Sequence, residues 1–126
     1  MTTDEIITLA ESLGISVVEH DEGPKGFYWH AGRRISLRRG LAGPSLRCTL
    51  AHELGHAVAG DEASGVDWAD ARRERAADQF AAELLITREA YAEAEEIVGP
   101  HPGALARELG VTIHMVDVWR SLYARA

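Results

Sequence analysis

The spacing of hydrophobic and polar residues changes several times along the chain, and each change predicts a new element. At the N-terminus, Thr2 and Glu5 stand at capping-box spacing ahead of apolar residues at helical period, so the pattern predicts a first helix that stops near Gly14. The β-branched run at residues 15–19 predicts a short strand, and the polar residues that follow it predict a loop.

Two more strands are predicted at residues 27–30 and 33–38, joined by a tight connection at residues 31–32. In the second of these strands, Ile35 and Leu37 alternate with polar residues. Successive side chains of a strand point to opposite faces, so this alternation predicts a sheet with one buried and one exposed face. An extended peptide could add to the edge of such a sheet, and the charges along the edge equally predict protection against that pairing.

The rest of the chain is predicted to be helical. One helix is expected over residues 43–60, where a Gly-Pro pair begins the pattern and a glycine ends it. A second apolar pattern at helical period covers residues 74–85, and a threonine-capped helix is predicted over residues 87–98. The Gly- and Pro-rich residues 99–103 break the chain, and two short helices are expected after them.

Together these elements predict an α+β fold, in which a short antiparallel or mixed sheet packs against two long helices and a helical C-terminus follows. A chain of 126 residues is long enough for one hydrophobic core, so we expect a single domain over residues 1–126. Residues 1–43 are expected to hold the first helix and the sheet, residues 44–86 the two long helices, and residues 87–126 the C-terminal helices.

The charge balance restricts the kinds of partner. The net charge is −7 at pH 7 and the pI is near 5.3, which disfavours a broad phosphate-binding surface but attracts a basic protein. The single cysteine excludes an intramolecular disulfide framework. The N-terminus lacks the pattern of a secretory signal, and no apolar run approaches the length of a membrane span. We therefore expect a soluble cytoplasmic protein without membrane contact or direct nucleic-acid binding.

The sequence HELGH at residues 52–56 has the spacing HExxH inside a stretch that is predicted to be helical. On a helix His52 and His56 lie one above the other, so both imidazoles can reach one metal ion. Glu53 then lies beside the ion as a general base for water rather than as a ligand. Apolar side chains flank the motif, which favours a buried metal-binding helix over two solvated histidines.

A catalytic zinc usually has three protein ligands, so a third donor is required. The spacing HExxHxxGxxH would require a histidine where this chain has Glu62 and a glycine where it has Ala59, so that pattern fails at two places. A second pattern places a glutamate on another helix with an acid one turn later, and Glu74 and Asp78 form such a pair. We therefore predict Glu74 as the third ligand and Asp78 as the acid that orients His52.

Two other interpretations concern these residues. Glu74 has arginines at positions 72, 73 and 75, and it would pair with them if this face of the helix were solvated. Cys48 lies one turn before His52 and could supply a thiolate, although a lone cysteine is more often a small buried hydrophobe. The predicted donors suit Zn²⁺, and Mn²⁺ or another divalent transition metal can use the same set.

Two segments of the chain carry a family resemblance, namely TLAHELGH at residues 49–56 and ERAADQFAAELL at residues 74–85. They resemble the ImmA/IrrE family of metallopeptidases, whose members have a threonine-leucine-alanine lead-in to HELGH and a following helix of the form E-x-x-A-[N/D]-x-F-A-x-x-L-L. The resemblance continues upstream at residues 26–37 and Arg47. It covers roughly residues 5–86 and, more loosely, the C-terminal helices.

The resemblance implies a small zincin-like domain and a zinc-dependent endopeptidase that cleaves a helix-turn-helix repressor, and so releases phage, mobile-element or stress genes. An alternative is a metal-containing binding module that captures a repressor without cleaving it. The chain departs from the family at residues 59–61, where another histidine is often present, and at residues 86–87, where Met-Pro is often present. These departures leave the substrate side of the site undefined.

Residues 104–120 have the look of a helix-turn-helix. DNA recognition would need basic side chains, and only Arg107, Arg120 and Arg125 supply them in this part of the chain. We therefore expect these helices to pack on the rest of the domain, with Trp119 in the core or in a substrate groove.

The donor that would stabilise a tetrahedral oxyanion is not identified by the sequence. Four side chains with a ring that can donate a hydrogen bond are available, namely His30, Tyr91, His101 and His114. The sequence predicts no choice among them.

Overall fold

Three strands and six helices make up residues 1–123, the part of the chain that the computed structural model describes. Arg125 and the end of the predicted C-terminal segment lie outside the described residues. The elements in chain order are α1 (Thr3–Ser12), β1 (Ser16–His20), β2 (Gly26–Trp29), β3 (Arg34–Arg38), α2 (Gly43–Ala59), α3 (Asp67–Leu85), α4 (Arg88–Val98), α5 (Pro102–Leu109) and α6 (Ile113–Tyr123). The fold is α+β, as the sequence predicts. Within residues 1–123, every helix is too short or too polar to cross a bilayer.

Strand β3 lies at the centre of a mixed sheet, parallel to β1 on one side and antiparallel to β2 on the other. Ile35 and Leu37 on β3 are buried, as their alternation predicts. Ser36 points to the other face but is also buried, because the side chain of His20 on β1 lies across it with Nδ1 2.7 Å from the hydroxyl oxygen. The prediction of an exposed polar face is therefore wrong at Ser36.

The connection between β2 and β3 is longer than the predicted two residues. It takes in residues 30–33, and Arg33 adopts a positive φ of 46°. A Cβ on Gly32 would lie 2.5 Å from the ring of Trp29, so the missing side chain allows the ring to fold over the turn. The turn leaves β2 at the edge of the sheet, next to α2.

The helix ends follow the capping signals in the sequence. Thr2 accepts a hydrogen bond from the amide of Glu5, and the carboxylate of Glu5 accepts one from the amide of Thr2, which forms the predicted capping box. Pro44 stands in the first turn of α2, and Gly60 ends this helix in the left-handed conformation at φ 70°. Thr87 caps α4 through its side chain.

The two long helices α2 and α3 pack closely at Gly55. A Cβ built on Gly55 would lie 3.1 Å from Cα of Ala77 and 3.2 Å from Cβ of Phe80. Glycine therefore lets the two helix backbones pack almost directly on each other. This close approach brings side chains of α3 within reach of His52 and His56 on α2.

The C-terminal helices pack on the core, as expected. Trp119 on α6 is buried, and its indole N–H donates a hydrogen bond to the carbonyl of Ile86 at 3.0 Å. Arg47 on α2 donates to the carbonyls of Leu109 and Gly110 at 3.1 and 2.9 Å. These contacts hold α6 near the end of α3 and hold the α5–α6 turn against α2.

Replacing Gly55 by alanine is expected to overpack the contact with Ala77 and Phe80, which costs about 1–3 kcal/mol. The better helix propensity of alanine returns up to about 1 kcal/mol, so the free energy of unfolding should fall by about 1–2 kcal/mol in total. Urea unfolding followed by circular dichroism measures the change. Val58→Ala, on an exposed position of the same helix, is the control and should alter stability by less than about 0.5 kcal/mol. A Gly55→Ala protein as stable as the intact one would contradict a tight helix contact.

Candidate metal centre

The three residues predicted as metal ligands lie together. Helix α2 carries His52 and His56 on one face, with ring centroids 4.8 Å apart. Helix α3 brings Glu74 to them, with Oε2 2.9 Å from Nε2 of His52 and Oε1 2.9 Å from Nε2 of His56. One possible ligand atom from each residue lies within 4.8 Å of the others. The three side chains thus form one group of nitrogen and oxygen donors.

Each histidine also has a carboxylate next to its other ring nitrogen, Nδ1. Asp78 Oδ1 lies 2.7 Å from Nδ1 of His52, and Asp61 Oδ2 lies 2.9 Å from Nδ1 of His56. An ionised carboxylate only accepts hydrogen bonds, so a neutral ring carries its proton on Nδ1 and turns the lone pair of Nε2 towards Glu74. A ring that carries its only proton on Nδ1 offers the Glu74 oxygen a lone pair and no donor. A divalent cation among the three groups resolves this conflict without protonating the rings, so the donor set fits a metal ion.

Asp61 is a site residue that the sequence analysis does not identify. Gly60 turns the chain back at the end of α2, and the amide of Asp61 donates to the carbonyl of His56 at 2.9 Å. This return places the Asp61 carboxylate beside the ring of the same histidine, while its other oxygen lies 3.7 Å from Nε of Arg73 on α3. An acid directly after the glycine that ends the metal-binding helix is the sequence signal that indicates this contact.

The loop between α2 and α3 is fastened to α3 by Asp70. Its carboxylate accepts hydrogen bonds from the amides of Ser64 and Gly65 at 3.0 and 3.2 Å, and from Arg73 at 2.9 Å. The hydrogen bonds from Ser64, with smaller contributions from Gly65 and Arg73, hold the pKa of Asp70 below its usual value. The loop that contains Asp61 is therefore tied to α3 and forms one wall of the site. Arg73 forms an ion pair with Asp70 in this wall, whereas the neighbouring Glu74 faces the histidines.

Glu53 is the buried acid of the site. Only 7% of its surface is exposed, and this burial raises the pKa of its carboxyl group above the usual value. The neighbouring imidazoles of His52 and His56 lower the pKa, and the charge of Glu74 adds to the effect of burial. Gly26 on β2 lies against Glu53, since a Cβ on this glycine would be 3.0 Å from Cγ of the acid. Glycine at this position allows β2 to run directly beside the site.

Two open clefts flank the donor group, and both are lined by Gly26 and Glu53. The first cleft, of about 340 Å³, lies between β2, the end of α2 and residues 61–63. The second, of about 600 Å³, lies between the first half of α2, Asp78 on α3 and the start of α6. The two clefts meet at Gly26 and Glu53, which line both, and together we call them the groove.

The four candidates for an oxyanion donor occupy different places. Tyr91 is buried in the core and His101 caps the N-terminus of α5, so the structure does not bring either of them into the groove. His114 lines the second cleft. His30 lies beside Tyr28, whose hydroxyl is 2.8 Å from Nδ1 of the histidine, and Tyr28 itself lines the first cleft. Tyr28 could not be predicted from the sequence, because a tyrosine in a strand pattern carries no chemical signal.

The comparisons with known proteins concern almost the whole described chain. The family model described as Peptidase_M78, IrrE N-terminal-like domain, matches residues 10–118. This range contains the donor group, the loop and the groove, and the fold is that of a small zincin-like domain. The comparison with curated proteins gives no match.

Cys48 is expected to react slowly with a thiol reagent in the folded protein. It is buried, and burial raises the pKa of its thiol above the usual value, although hydrogen bonds with Thr112 act in the opposite direction. Among the described residues, the donor group contains no sulfur, so a bound metal should not change this reactivity. Labelling with Ellman's reagent at mildly alkaline pH, with and without urea, measures the difference. A native rate equal to the unfolded rate would contradict a buried neutral thiol.

Proposed function

Because this chain belongs to the IrrE N-terminal-like family of peptidases, we propose that it is a zinc-dependent endopeptidase that cleaves a helix-turn-helix repressor. Cleavage would release the phage, mobile-element or stress genes that the repressor silences. The family accounts for a metallopeptidase with a protein substrate. The residues of the site support the choice of metal, the mode of cleavage and the kind of substrate.

The observation that carries the proposal is the convergence of His52, His56 and Glu74. We assign these three residues as the metal ligands and residues 44–86 as the metal-binding part of a single domain. Two imidazoles and one carboxylate are a common ligand set of catalytic zinc, and Mn²⁺ or another divalent transition metal can use the same donors. When bound, such an ion acts as a Lewis acid that polarises the scissile carbonyl and acidifies water.

Glu53 is the residue to which we assign the proton transfers. It lines both halves of the groove, and burial raises the pKa of its carboxyl group above the usual value, which makes the carboxylate a stronger base. Glu53 takes a proton from the attacking water and delivers it to the nitrogen of the leaving amine. The C–N bond breaks after the new C–O bond has formed, and the products are a carboxylate and an amine.

The shape of the groove supports cleavage within a chain rather than at its end. Clefts are open on both sides of Glu53, so a bound peptide can continue in both directions from the scissile bond. Strand β2 borders this groove and is an edge strand. An extended peptide that adds to this edge would pass Gly26, where the absence of a side chain keeps the strand close to the site.

The charge of the groove supports a basic protein as the substrate. Acidic side chains line the first cleft beside the donor group, and the chain as a whole has a net charge of −7. DNA-binding domains carry an excess of lysine and arginine, so they are attracted by such a surface. A binding module that captures a repressor without cleaving it would use the same surface. The two functions differ only in the chemistry of Glu53.

Loss of a ligand is expected to abolish tight metal binding. Loss of a residue that hydrogen-bonds to a metal ligand weakens metal binding by about 10–100-fold. Glu74→Gln and His56→Ala should each weaken Zn²⁺ binding by more than this, because each change removes or weakens a donor atom. Competition with a chromogenic chelator measures the affinity. Glu62→Gln, at an exposed acid that lines the same groove, is the matched control and should bind Zn²⁺ like the intact protein. Unchanged affinity of Glu74→Gln would exclude Glu74 as the third ligand.

Glu53→Gln is expected to retain bound metal and to lose about 10²–10⁴-fold in cleavage rate, because an amide cannot accept the proton. The measurement compares protein N-termini in cells that express either the intact protein or Glu53→Gln together with a repressor encoded nearby, with Glu93→Gln, at an exposed acid on α4 outside the groove, as the active control. A new repressor terminus that appears with the intact protein and with Glu93→Gln, but not with Glu53→Gln, supports proteolysis. Derepression by both the intact protein and Glu53→Gln, without a new terminus, would support capture instead.

A further inference from the structure

The carboxylate of Asp78 is shared by two histidines from different helices. Its Oδ1 lies 2.7 Å from Nδ1 of His52 on α2, and its Oδ2 lies 2.8 Å from Nε2 of His114 on α6. His114 therefore does more than line the groove. Its ring contacts the acid that holds a ligand histidine, and so the first turn of α6 is connected to the metal centre through one carboxylate.

The contact with His114 restricts a rotation of the Asp78 carboxylate that the contact with His52 alone permits. A carboxylate that is bonded through one oxygen can still turn about its Cβ–Cγ bond, for which the energy wells are broad. A donor on the second oxygen opposes this rotation and holds the plane of the Asp78 carboxylate. Oδ1 then stays in line with the Nδ1–H of His52, and Nε2 of the same ring stays directed at the donor group.

The position of His114 depends on how α6 docks on α3. Two further contacts hold this helix, since the indole N–H of Trp119 donates to the carbonyl of Ile86 at 3.0 Å and the hydroxyl of Tyr123 donates to Glu83 at 2.7 Å. His114 stands in the first turn of α6, at the end of the helix nearest to the donor group. A shift of this turn would withdraw the ring from Asp78 without moving any ligand.

We propose that His114 is a positioning residue for the metal centre and that it makes metal affinity depend on the docking of α6. This inference rests on the proposed metal ligands. Coupling between two sites is reciprocal, so a docked α6 that strengthens metal binding is itself stabilised by the bound metal to the same extent. A protein partner that displaces the first turn of α6 would therefore weaken metal binding from outside the ligand set.

The contribution of His114 to metal binding can be separated from its contribution to folding. Its side chain is 65% exposed, and interactions between exposed groups contribute little to the stability of a fold. Removal of the ring should therefore leave the metal-free protein folded. Any change in metal affinity then reports the orientation of Asp78 and His52.

The experiment measures Zn²⁺ affinity by chelator competition for the intact chain and for His114→Leu, His114→Gln and Asp117→Asn. His114→Leu removes the donor and should weaken binding about tenfold, the lower end of the range for an outer partner. His114→Gln keeps an N–H donor for Asp78 and should stay within about threefold of the intact chain. Asp117→Asn changes a charge at an exposed position of the same helix and is the matched control, with unchanged affinity. Urea unfolding of the metal-free proteins verifies that all four are equally folded.

The possible results are distinguishable. A loss in His114→Leu that His114→Gln restores supports the proposal. Equal affinity of His114→Leu and the intact chain, or equal losses in the leucine and glutamine variants, would overturn it while leaving the metal centre intact. If the intact chain itself binds no Zn²⁺, the proposed ligands are wrong and the inference fails with them.

Amide hydrogen exchange provides a second readout that does not depend on activity. In the intact chain, Zn²⁺ should slow amide exchange in α6 more than in α1, because metal binding stabilises the docked helix. This additional slowing should be smaller in His114→Leu and should return in His114→Gln. The same slowing in all three proteins would overturn the coupling between α6 and the metal centre.

Discussion

The site depends on the close packing of α2 against α3 at Gly55. His52 and His56 are on α2, whereas the carboxylates of Glu74 and Asp78 that contact His52 are on α3. The absence of a side chain at Gly55 lets the two backbones lie close together, which shortens the distance that these acids have to span to the imidazoles. A contact in the core thus supports the meeting of four polar side chains at the surface of the helix pair.

The same packing concentrates negative charge. Glu74, Asp78 and Asp61 surround two imidazoles, and Glu53 is buried beside them. Carboxylates at such distances repel each other more strongly where solvent is partly excluded, and a bound cation would offset that repulsion. Under the proposed assignment of the ligands, an ion that binds only the folded chain would also stabilise the fold.

The parts of the structure that depend on neighbouring residues could be predicted from the sequence, and the parts that depend on distant contacts could not. The left-handed end of α2 at Gly60 and the shared helix face of the HExxH histidines follow from local geometry, and both were correctly expected. The approach of Gly26 to Glu53 and the burial of Ser36 arise from how strands and helices meet in space. Asp61 lies between these cases, because a local turn places it but its contact with a histidine needs the completed site.

The short connection between α2 and α3 has a consequence for the order of folding. The pairs that join α2 to α3 are close in the chain, with His52 and Glu74 separated by 22 positions, whereas Asp78 and His114 are separated by 36. Closing a shorter loop costs less chain entropy, so we expect the helical hairpin of α2 and α3 to form early and α6 to dock on it afterwards. Under the proposed assignment of the ligands, this hairpin holds the three donors by itself, so a cation would bind to it before α6 docks and would then favour the docked state.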